Sequence, residues 1–167
     1  MTRTLVAYAS KHGSTEEVAR AIGVVVRDAG HHVDVRDAEA VTDVEPYDAV
    51  ILGAPLYIGR WHAGARTFLR RHRTALEERP LAVFALGPLT LGETQIADSR
   101  KQLLSALAHL EVSPDLVTIF GGAVDPAKLH FPLNRMPKTD ARDWSEIEAW
   151  ASDVAVEIAD FTRAERV

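Results

Sequence analysis

Four short apolar runs are separated by longer stretches of mixed polarity. They read 4-TLVAYA-9, 49-AVILGA-54, 81-LAVFAL-86 and 116-LVTIFGG-122. Nearly continuous Val, Ile and Leu predict strands that are buried on both faces, as in a parallel sheet. A weaker run, 32-HVDVRD-37, alternates apolar and polar positions, which indicates a strand at the edge of that sheet.

The stretches between these runs carry apolar residues at helical spacing. Such a stripe turns one side of an amphipathic helix toward a core. Gly30 predicts the end of the first helix, and Asp143, with Glu146 behind it, predicts the N-cap of the last. The stripes are Val18, Ile22, Val25 and Ala29; Ala65, Phe68, Leu69, His72 and Leu76; Ile96, Leu103, Leu107 and Leu110; and Ile147, Ala151, Val154, Ile158 and Phe161.

Strands that alternate with helices predict βαβ units and right-handed crossovers. With the edge strand second in the chain, we predict an α/β fold: a doubly wound, five-stranded parallel sheet of order 2-1-3-4-5 with helices on both faces. The 167 residues fit one such domain over 1–167. One stretch, 123-AVDPAKLHFPLNRMPKTDAR-142, is too long for an ordinary connection. We therefore expect it to be functional or mobile.

A cluster of small polar residues joins the first strand to the first helix. In an open α/β sheet, ligands bind at the carboxyl ends of the strands, where the strand order reverses. A helix N-terminus there offers unpaired N–H groups and a dipole that favours an anion. Hydroxyls add donors, a glycine lets the backbone approach a ligand, and two basic side chains add positive charge. The turn therefore predicts a phosphate-monoester site formed by Ser10, Lys11, His12, Gly13, Ser14 and Thr15.

The same turn also has a purely structural interpretation. The segment 14-STEE-17 reads as a capping box, in which Ser14 caps the helix and Glu17 reaches back. This accounts for Ser14 but not for the other small polar residues of the turn. The turn is neither a P-loop nor the dinucleotide G-x-G-x-x-G, so the sequence leaves the phosphate site and the simple cap open.

Two further loops, 53-GAPLYIGRWHAGA-65 and 87-GPLTLGET-94, leave the same predicted edge of the sheet. Both carry glycine, proline and apolar residues, which exposed loops rarely do without a ligand. A flat aromatic ligand would fit there, with Tyr57 or Trp61 stacked on it and backbone groups bonded to its edge. The alternative is that Tyr57 and Trp61 pack onto the second helix.

Together these features resemble the flavodoxins, over nearly the whole chain. The first turn is similar to their signature, and 53-GAPLYIG-59 is similar to their second flavin loop. The resemblance implies bound FMN, with its phosphate in the 10–15 turn and its isoalloxazine between the 54–59 and 87–92 loops. The residues at the signature spacing are Tyr8, Ser10, Gly13, Thr15, Ala19 and Ile22. The implied cofactor-binding residues are Ser10, Lys11, His12, Gly13, Ser14, Thr15, Ala54, Pro55, Leu56, Tyr57, Ile58, Gly59, Gly87, Pro88, Leu89 and Gly92.

A narrower resemblance concerns the flavodoxin-type, menaquinone-dependent protoporphyrinogen oxidases. It is carried by 53-GAPLYIGRWHAGARTFLRRHRTAL-76 and 139-TDARDWSEIEAWA-151. Those enzymes have a long, basic and apolar insertion before the last helix, whereas the stretch 123–142 is shorter and has no helix-length apolar run. We therefore expect an FMN-binding electron carrier or FMN-dependent oxidoreductase. The alternative is a protoporphyrinogen IX dehydrogenase or oxidase that acts with a quinone.

Composition narrows the class of partner. A net charge of -5 argues against a nucleic-acid footprint, and the absence of cysteine excludes thiolate chemistry and disulfides. No histidines stand at a metal-ligand spacing, so no metal site is predicted. No apolar run approaches the roughly 20 residues that span a bilayer. We expect a cytoplasmic protein whose partner is a redox protein, a small molecule or a quinone, and keep a homodimer open.

Other functions on this fold match the residues less well. A receiver domain needs acidic residues at the ends of strands one and three, where Ser10 and Ala54 stand instead. A serine hydrolase needs a G-x-S-x-G elbow, which is absent. No catalytic side chain is predicted because the flavin carries the chemistry, and we interpret His62 as a helix-start residue. A non-catalytic interaction domain without flavin stays open.

Overall fold

A central sheet with helices around it organises the chain in the computed structural model, which describes residues 2–10, 12–57, 60–87 and 92–167. The elements are β1 (Arg3–Tyr8), α1 (Ser14–Asp28), β2 (His32–Asp37), β3 (Ala49–Tyr57), β4 (Arg60–Trp61), α2 (Ala63–Leu76), β5 (Leu81–Leu86), α3 (Glu93–His109), β6 (Leu116–Phe120), β7 (Ala123–Val124), β8 (Thr139–Asp140) and α4 (Trp144–Glu165). Short 3₁₀ helices span Ala38–Ala40, Pro126–Lys128 and Leu133–Arg135.

The longer strands form a parallel sheet in the order β2-β1-β3-β5-β6. If the two-residue strand β4 is set aside, this is the predicted order 2-1-3-4-5. The predicted doubly wound α/β fold is therefore confirmed. Strand β2 lies at the edge of the sheet, as its alternating pattern indicated, and its residues are only partly buried.

Two apolar cores lie on the two faces of the sheet. Alternate residues of a strand point to opposite faces, so Leu5 and Leu52 join one core while Val6 and Ile51 join the other. The first core is completed by α2 and α3, and the second by α1 and α4. Burial on both faces explains why these strands have nearly continuous apolar sequences.

The end of α1 and the start of α4 lie where Gly30 and Asp143 predicted them. Gly30 has φ 100°, the left-handed conformation that ends many helices, and its N–H donates to the carbonyl oxygen of Arg27. The Asp143 carboxylate accepts from the N–H of Glu146 over 3.2 Å, which confirms the predicted N-cap. In the part of the chain that the structure describes, no helix has the length and hydropathy to cross a membrane.

Gly53 makes room for an aromatic cluster in the second core. A Cβ at Gly53 would stand 1.9 Å from Cζ of Phe84. That ring is fully buried, and its centroid lies 5.9 Å from that of Phe120 and 6.0 Å from that of Trp150. A side chain at Gly53 would force this ring or the backbone to shift, so this position of β3 favours a residue without a side chain.

Replacement of Gly53 by alanine therefore tests the packing of β3 against β5. We expect Gly53→Ala to lower the free energy of unfolding by about 1–3 kcal/mol, the usual cost of overpacking. Phe84→Leu in the same chain removes the ring edge, so the double variant is expected to lose less than the sum of the two single changes. Denaturant unfolding of the four proteins measures this, and additive losses would contradict it.

His72 predicts a pH-dependent part of the stability. It is buried on α2, with its ring centroid 4.7 Å from that of Phe68. Burial, with the charge of Arg71, lowers its pKa below the ordinary 6.5. Below about pH 6.5, His72 is therefore protonated in the unfolded chain but still neutral in the folded chain. The free energy of unfolding decreases progressively as the pH falls through this range.

The measurement is urea unfolding between pH 7.5 and pH 5.5. His72→Leu is expected to lose less stability over this range than the wild type does, because it removes one proton-linked group. The matched control is His109→Leu, which removes an exposed histidine from α3 and gives the background change. An identical pH dependence in wild type and His72→Leu would count against the role of His72.

Candidate functional site

Strands β1 and β3 end side by side at the carboxyl edge of the sheet. The N–H of Ala9 donates to the carbonyl oxygen of Gly53 over 2.9 Å, which carries their pairing beyond Tyr8. The chain then turns: the N–H of Gly13 donates to Oγ of Ser10 over 2.9 Å. Gly13 has φ 89°, which glycine adopts without steric cost. Ser10 and Gly13 thus form the turn itself.

Helix α1 begins at Ser14, with Gly13 at the N-cap and no capping side chain. The capping-box interpretation is wrong, because Glu17 pairs with Arg142 over 2.9 Å instead of reaching back. Thr15 is fully buried, and its Oγ1 has no hydrogen-bond partner among the described residues. A buried unpaired hydroxyl costs about 1–3 kcal/mol, so the first turn holds a polar atom that a ligand would satisfy.

The second predicted loop is largely a β-hairpin, because β3 continues to Tyr57 and pairs with β4. The indole Nε1 of Trp61 donates to the carbonyl oxygen of Ala54 over 3.1 Å, and the N–H of His62 donates to that of Pro55 over 3.0 Å. Trp61 is 2% exposed. Trp61 therefore packs in the core, as in the alternative interpretation. Of the two aromatic residues, Tyr57 is then the one that is placed to stack on a ligand.

Tyr57, at the end of β3, lies next to His62, at the start of α2. Tyr57 is 43% exposed, and its ring centroid lies 6.4 Å from that of His62. Partial burial raises the pKa of Tyr57, so its hydroxyl stays protonated at neutral pH. Nδ1 of His62 accepts from the N–H of Gly64 over 2.9 Å, which makes His62 the N-cap of α2, as we interpreted it. Leu56 is half-buried in the hairpin.

The third predicted loop begins at Gly87, beside the end of β6. The N–H of Gly87 donates to the carbonyl oxygen of Phe120 over 2.7 Å, and a Cβ at Gly87 would stand 2.8 Å from Cγ2 of Ile119. Gly92 is the N-cap of α3. The predicted cofactor-binding residues that lie outside the described residues are Lys11, Ile58, Gly59, Pro88 and Leu89.

The irregular stretch 123–142 folds back onto the first turn. Its ends pair as the antiparallel strands β7 and β8. A Cβ at Gly121 would stand 2.0 Å from the carbonyl oxygen of Ala141, so the base of this stretch is tightly closed. We call residues 123–142 the cover segment.

Arg142 fixes the cover segment to α1. Its guanidinium is 9% exposed and pairs with Glu17 over 2.9 Å and with Asp140 over 2.8 Å. It also donates to the carbonyl oxygen of Ser14 over 3.3 Å. These bonds hold the pKa of the Asp140 carboxyl below its usual value, so the cluster stays ionised at neutral pH.

Lys128 brings a second cation of the cover segment to the same turn. Its Nζ donates to the carbonyl oxygen of His12 over 3.4 Å. It also lies 3.7 Å from the point where a Cβ at Gly13 would stand. Sequence reasoning missed both Lys128 and Arg142 as site residues. Its one signal was the unusual length of the stretch that carries them.

The described residues fit a phosphate monoester at the first turn. The N-terminus of α1 supplies N–H groups and a favourable dipole, and Thr15 supplies a buried hydroxyl that has no partner among the described residues. Lys128 adds an ammonium group close to Gly13. The partly exposed ring of Tyr57 at the adjoining strand end fits a flat aromatic ring. The chain's own residues therefore fit FMN.

Comparison with solved structures identifies flavodoxins of the same fold. A flavodoxin from the domain Archaea superposes with a TM-score of 0.62 at 17% identity, covering 94% of this chain and 99% of that one. A Pseudomonas aeruginosa flavodoxin, in a cysteine-to-alanine mutant form, also gives 0.62, at 18% identity and with coverage of 94% and 99%.

Comparison with curated proteins identifies relatives whose names include a quinone. Protoporphyrinogen IX dehydrogenase [quinone] of Escherichia coli K12 is 22% identical, covering 92% of this chain and 94% of its own length. An NAD(P)H dehydrogenase (quinone) of Acidovorax ebreus is 34% identical over 91 residues, covering 41% of this chain and 46% of its own length. Both are similar to this chain in sequence.

A family model described as a flavodoxin domain matches residues 5–136. The match includes the first turn, the β3–β4 hairpin and most of the cover segment, and ends before α4. The chain therefore belongs to the flavodoxin domain family and is an FMN-binding redox protein.

Proposed function

We propose that this protein is an FMN-dependent oxidoreductase that passes electrons from a small-molecule substrate to a quinone. The proposal rests chiefly on the Escherichia coli relative, whose name includes a quinone and which aligns with 92% of this chain. FMN, when bound, supplies the electron transfer. The protein's own residues bind it, orient it and give the substrate access to it.

The first turn has the role of holding the phosphate. The N–H groups at the start of α1, the Thr15 hydroxyl and the Ser14 hydroxyl are its proposed donors. Tyr57 has the role of covering one face of the isoalloxazine, since its ring is partly exposed at the end of β3. The predicted residues of the 87–92 loop would border the other side of the ring.

The cover segment offers exposed apolar side chains that a small-molecule substrate would contact. It is anchored at the phosphate turn by Arg142 and carries two exposed apolar side chains, Phe131 at 70% and Met136 at 38%. Large apolar side chains that remain exposed beside a cofactor site favour contact with an apolar, flat substrate. A quinone has that chemistry.

Protoporphyrinogen is the second candidate and would act as the electron donor to the flavin. It is favoured by the name of the Escherichia coli relative and by the sequence resemblance over 53–76 and 139–151. The described part of the cover segment has 3₁₀ turns and a two-stranded ribbon, with no α-helix. This agrees with the absence of a helix-length apolar run in the sequence of 123–142.

Thr15→Val tests the phosphate turn, because its effects on stability and on binding are expected to have opposite signs. Valine removes a buried hydroxyl that has no partner among the described residues, so the apoprotein should keep or gain stability. FMN should lose a hydrogen bond, and its Kd should rise about tenfold, about 1.4 kcal/mol. Flavin fluorescence titration and thermal unfolding of the apoprotein give the two values.

Thr4→Val is the matched control for this experiment. Thr4 also has a buried hydroxyl without a partner among the described residues, but it lies near the start of β1, away from the turn. FMN affinity should stay at the wild-type value in this variant. Equal FMN affinity in Thr15→Val and wild type would refute the proposed role of Thr15.

Anaerobic stopped-flow mixing tests the quinone. The FMN-loaded protein is reduced with dithionite and mixed with menadione or with ferricyanide, while flavin absorbance is followed. We expect rapid reoxidation by menadione that slows severalfold in Phe131→Ser, with no change for ferricyanide. Val156→Ser removes another exposed apolar residue, on α4 (61% exposed), and should leave both rates unchanged.

Two experiments separate the candidate functions. Reoxidation by ferricyanide alone would indicate an electron carrier and refute the quinone proposal. Bleaching of the oxidised flavin on anaerobic addition of protoporphyrinogen would assign the porphyrinogen as electron donor, and an unchanged spectrum would remove that candidate.

A further inference from the structure

The electrostatics of the first turn pose a problem for a bound phosphate. Glu16 and Glu17 both lie in the first turn of α1, and a phosphate monoester carries close to two negative charges at neutral pH. Glu16 is paired with Arg20 over 2.7 Å, and Glu17 with Arg142 over 2.9 Å. These two arginines neutralise the two carboxylates, so neither of them is a free cation for a ligand.

Arg142 is the less available of the two. It also pairs with Asp140 over 2.8 Å, so one guanidinium faces two carboxylates. Its side chain is 9% exposed, and it donates to the carbonyl oxygen of Ser14 as well. Arg142 therefore links the cover segment to α1 and is not a free cation for the phosphate.

Lys128 has the opposite character. Within the described part of the chain it forms no ion pair, and its hydrogen bond to the carbonyl oxygen of His12 is long, at 3.4 Å. Its Nζ lies beside Gly13, the residue from which α1 starts. An ammonium group held next to a helix N-terminus gains more from an anion than from a single carbonyl oxygen.

We infer that Lys128 is a phosphate-binding residue and that it makes the site select the phosphorylated flavin over the unphosphorylated one. The inference rests on the proposed FMN site. The ammonium group of Lys128 would turn from the His12 carbonyl oxygen to the phosphate oxygens. The cover segment that carries Lys128 is thereby part of the cofactor site, which local sequence patterns alone do not indicate.

The experiment compares FMN with riboflavin, which has the same ring and no phosphate. We expect Lys128→Met to weaken FMN binding about five- to tenfold, within the range of one charge-assisted bond. Riboflavin binding should stay within about twofold of wild type. Lys128→Arg keeps the positive charge and should restore most of the preference for FMN. Fluorescence titration at several salt concentrations gives each Kd.

Salt provides an independent measurement of the same contact. The FMN Kd of the wild type should rise with salt concentration, because screening weakens a partly exposed ion pair. In Lys128→Met this rise should be shallower. The matched control, Lys101→Met, removes an equal charge from an exposed position on α3 and should leave the Kd and its salt dependence at wild-type values.

The outcomes distinguish this inference from the proposed function. Equal loss of FMN and riboflavin in Lys128→Met would assign Lys128 to the shape of the site and overturn phosphate binding. Unchanged affinity for both flavins would also overturn it while leaving the FMN site intact. A wild type that binds neither flavin would refute the proposed FMN-dependent function, and the role of Lys128 with it.

Discussion

The parallel pairing of β1 with β3 is the constraint on which the rest of the structure depends. It places Tyr8 opposite Gly53 and continues through the Ala9–Gly53 hydrogen bond. Because both strands are buried on both faces, their side chains are mostly apolar, and Thr4 is the buried polar exception on β1. The first polar positions available are at the strand ends, and parallel pairing brings those ends together. The turn after β1 and the hairpin after β3 therefore meet at one edge.

This constraint explains why the sequence predicted the fold well. Strands buried on both faces need continuous apolar residues, and an edge strand such as β2 does not, so the runs identified both the strands and the edge. The end of β3 was harder to predict. A proline usually ends a central strand, yet Pro55 stays in β3 opposite Leu86. The return of the chain through β4, which pairs with Leu56 and Tyr57, keeps the strand extended.

The candidate site divides into a local and a distant part, and only the local part could be predicted. Ser10, Gly13 and Thr15 are within one turn of each other, and their residue types indicate a tight anion-binding bend. Ser14 looked like the cap because its spacing to Glu17 is that of a capping box, but the left-handed Gly13 takes the N-cap position. Glu17 is then free to pair with Arg142, which is 125 residues away in sequence.

Contacts between residues so far apart in the chain leave no periodic pattern in the sequence, so they could not be predicted from it. The bond from Lys128 to His12 spans 116 residues and depends on where β6 ends and how tightly the chain closes behind it. That closure requires Gly121, where a Cβ would collide with the carbonyl group of Ala141. A glycine after an apolar run can have several structural roles, and only the fold shows that this one lets the chain pass close to Ala141.

The two cations of the cover segment, Arg142 and Lys128, differ in how far a bound cofactor would change their contacts. Arg142 is satisfied by carboxylates of the protein itself, so its contribution is the same with or without a ligand. Among the described residues, the hydrogen bond of Lys128 is a long one to the His12 carbonyl oxygen, so we expect its contribution to grow when a phosphate binds. Binding free energies are reciprocal: whatever Lys128 adds to FMN affinity, FMN adds to the stability of the closed cover segment. Phe131 lies between Lys128 and Arg142 in the sequence. On the proposed roles, FMN would therefore also stabilise the apolar surface that meets the substrate.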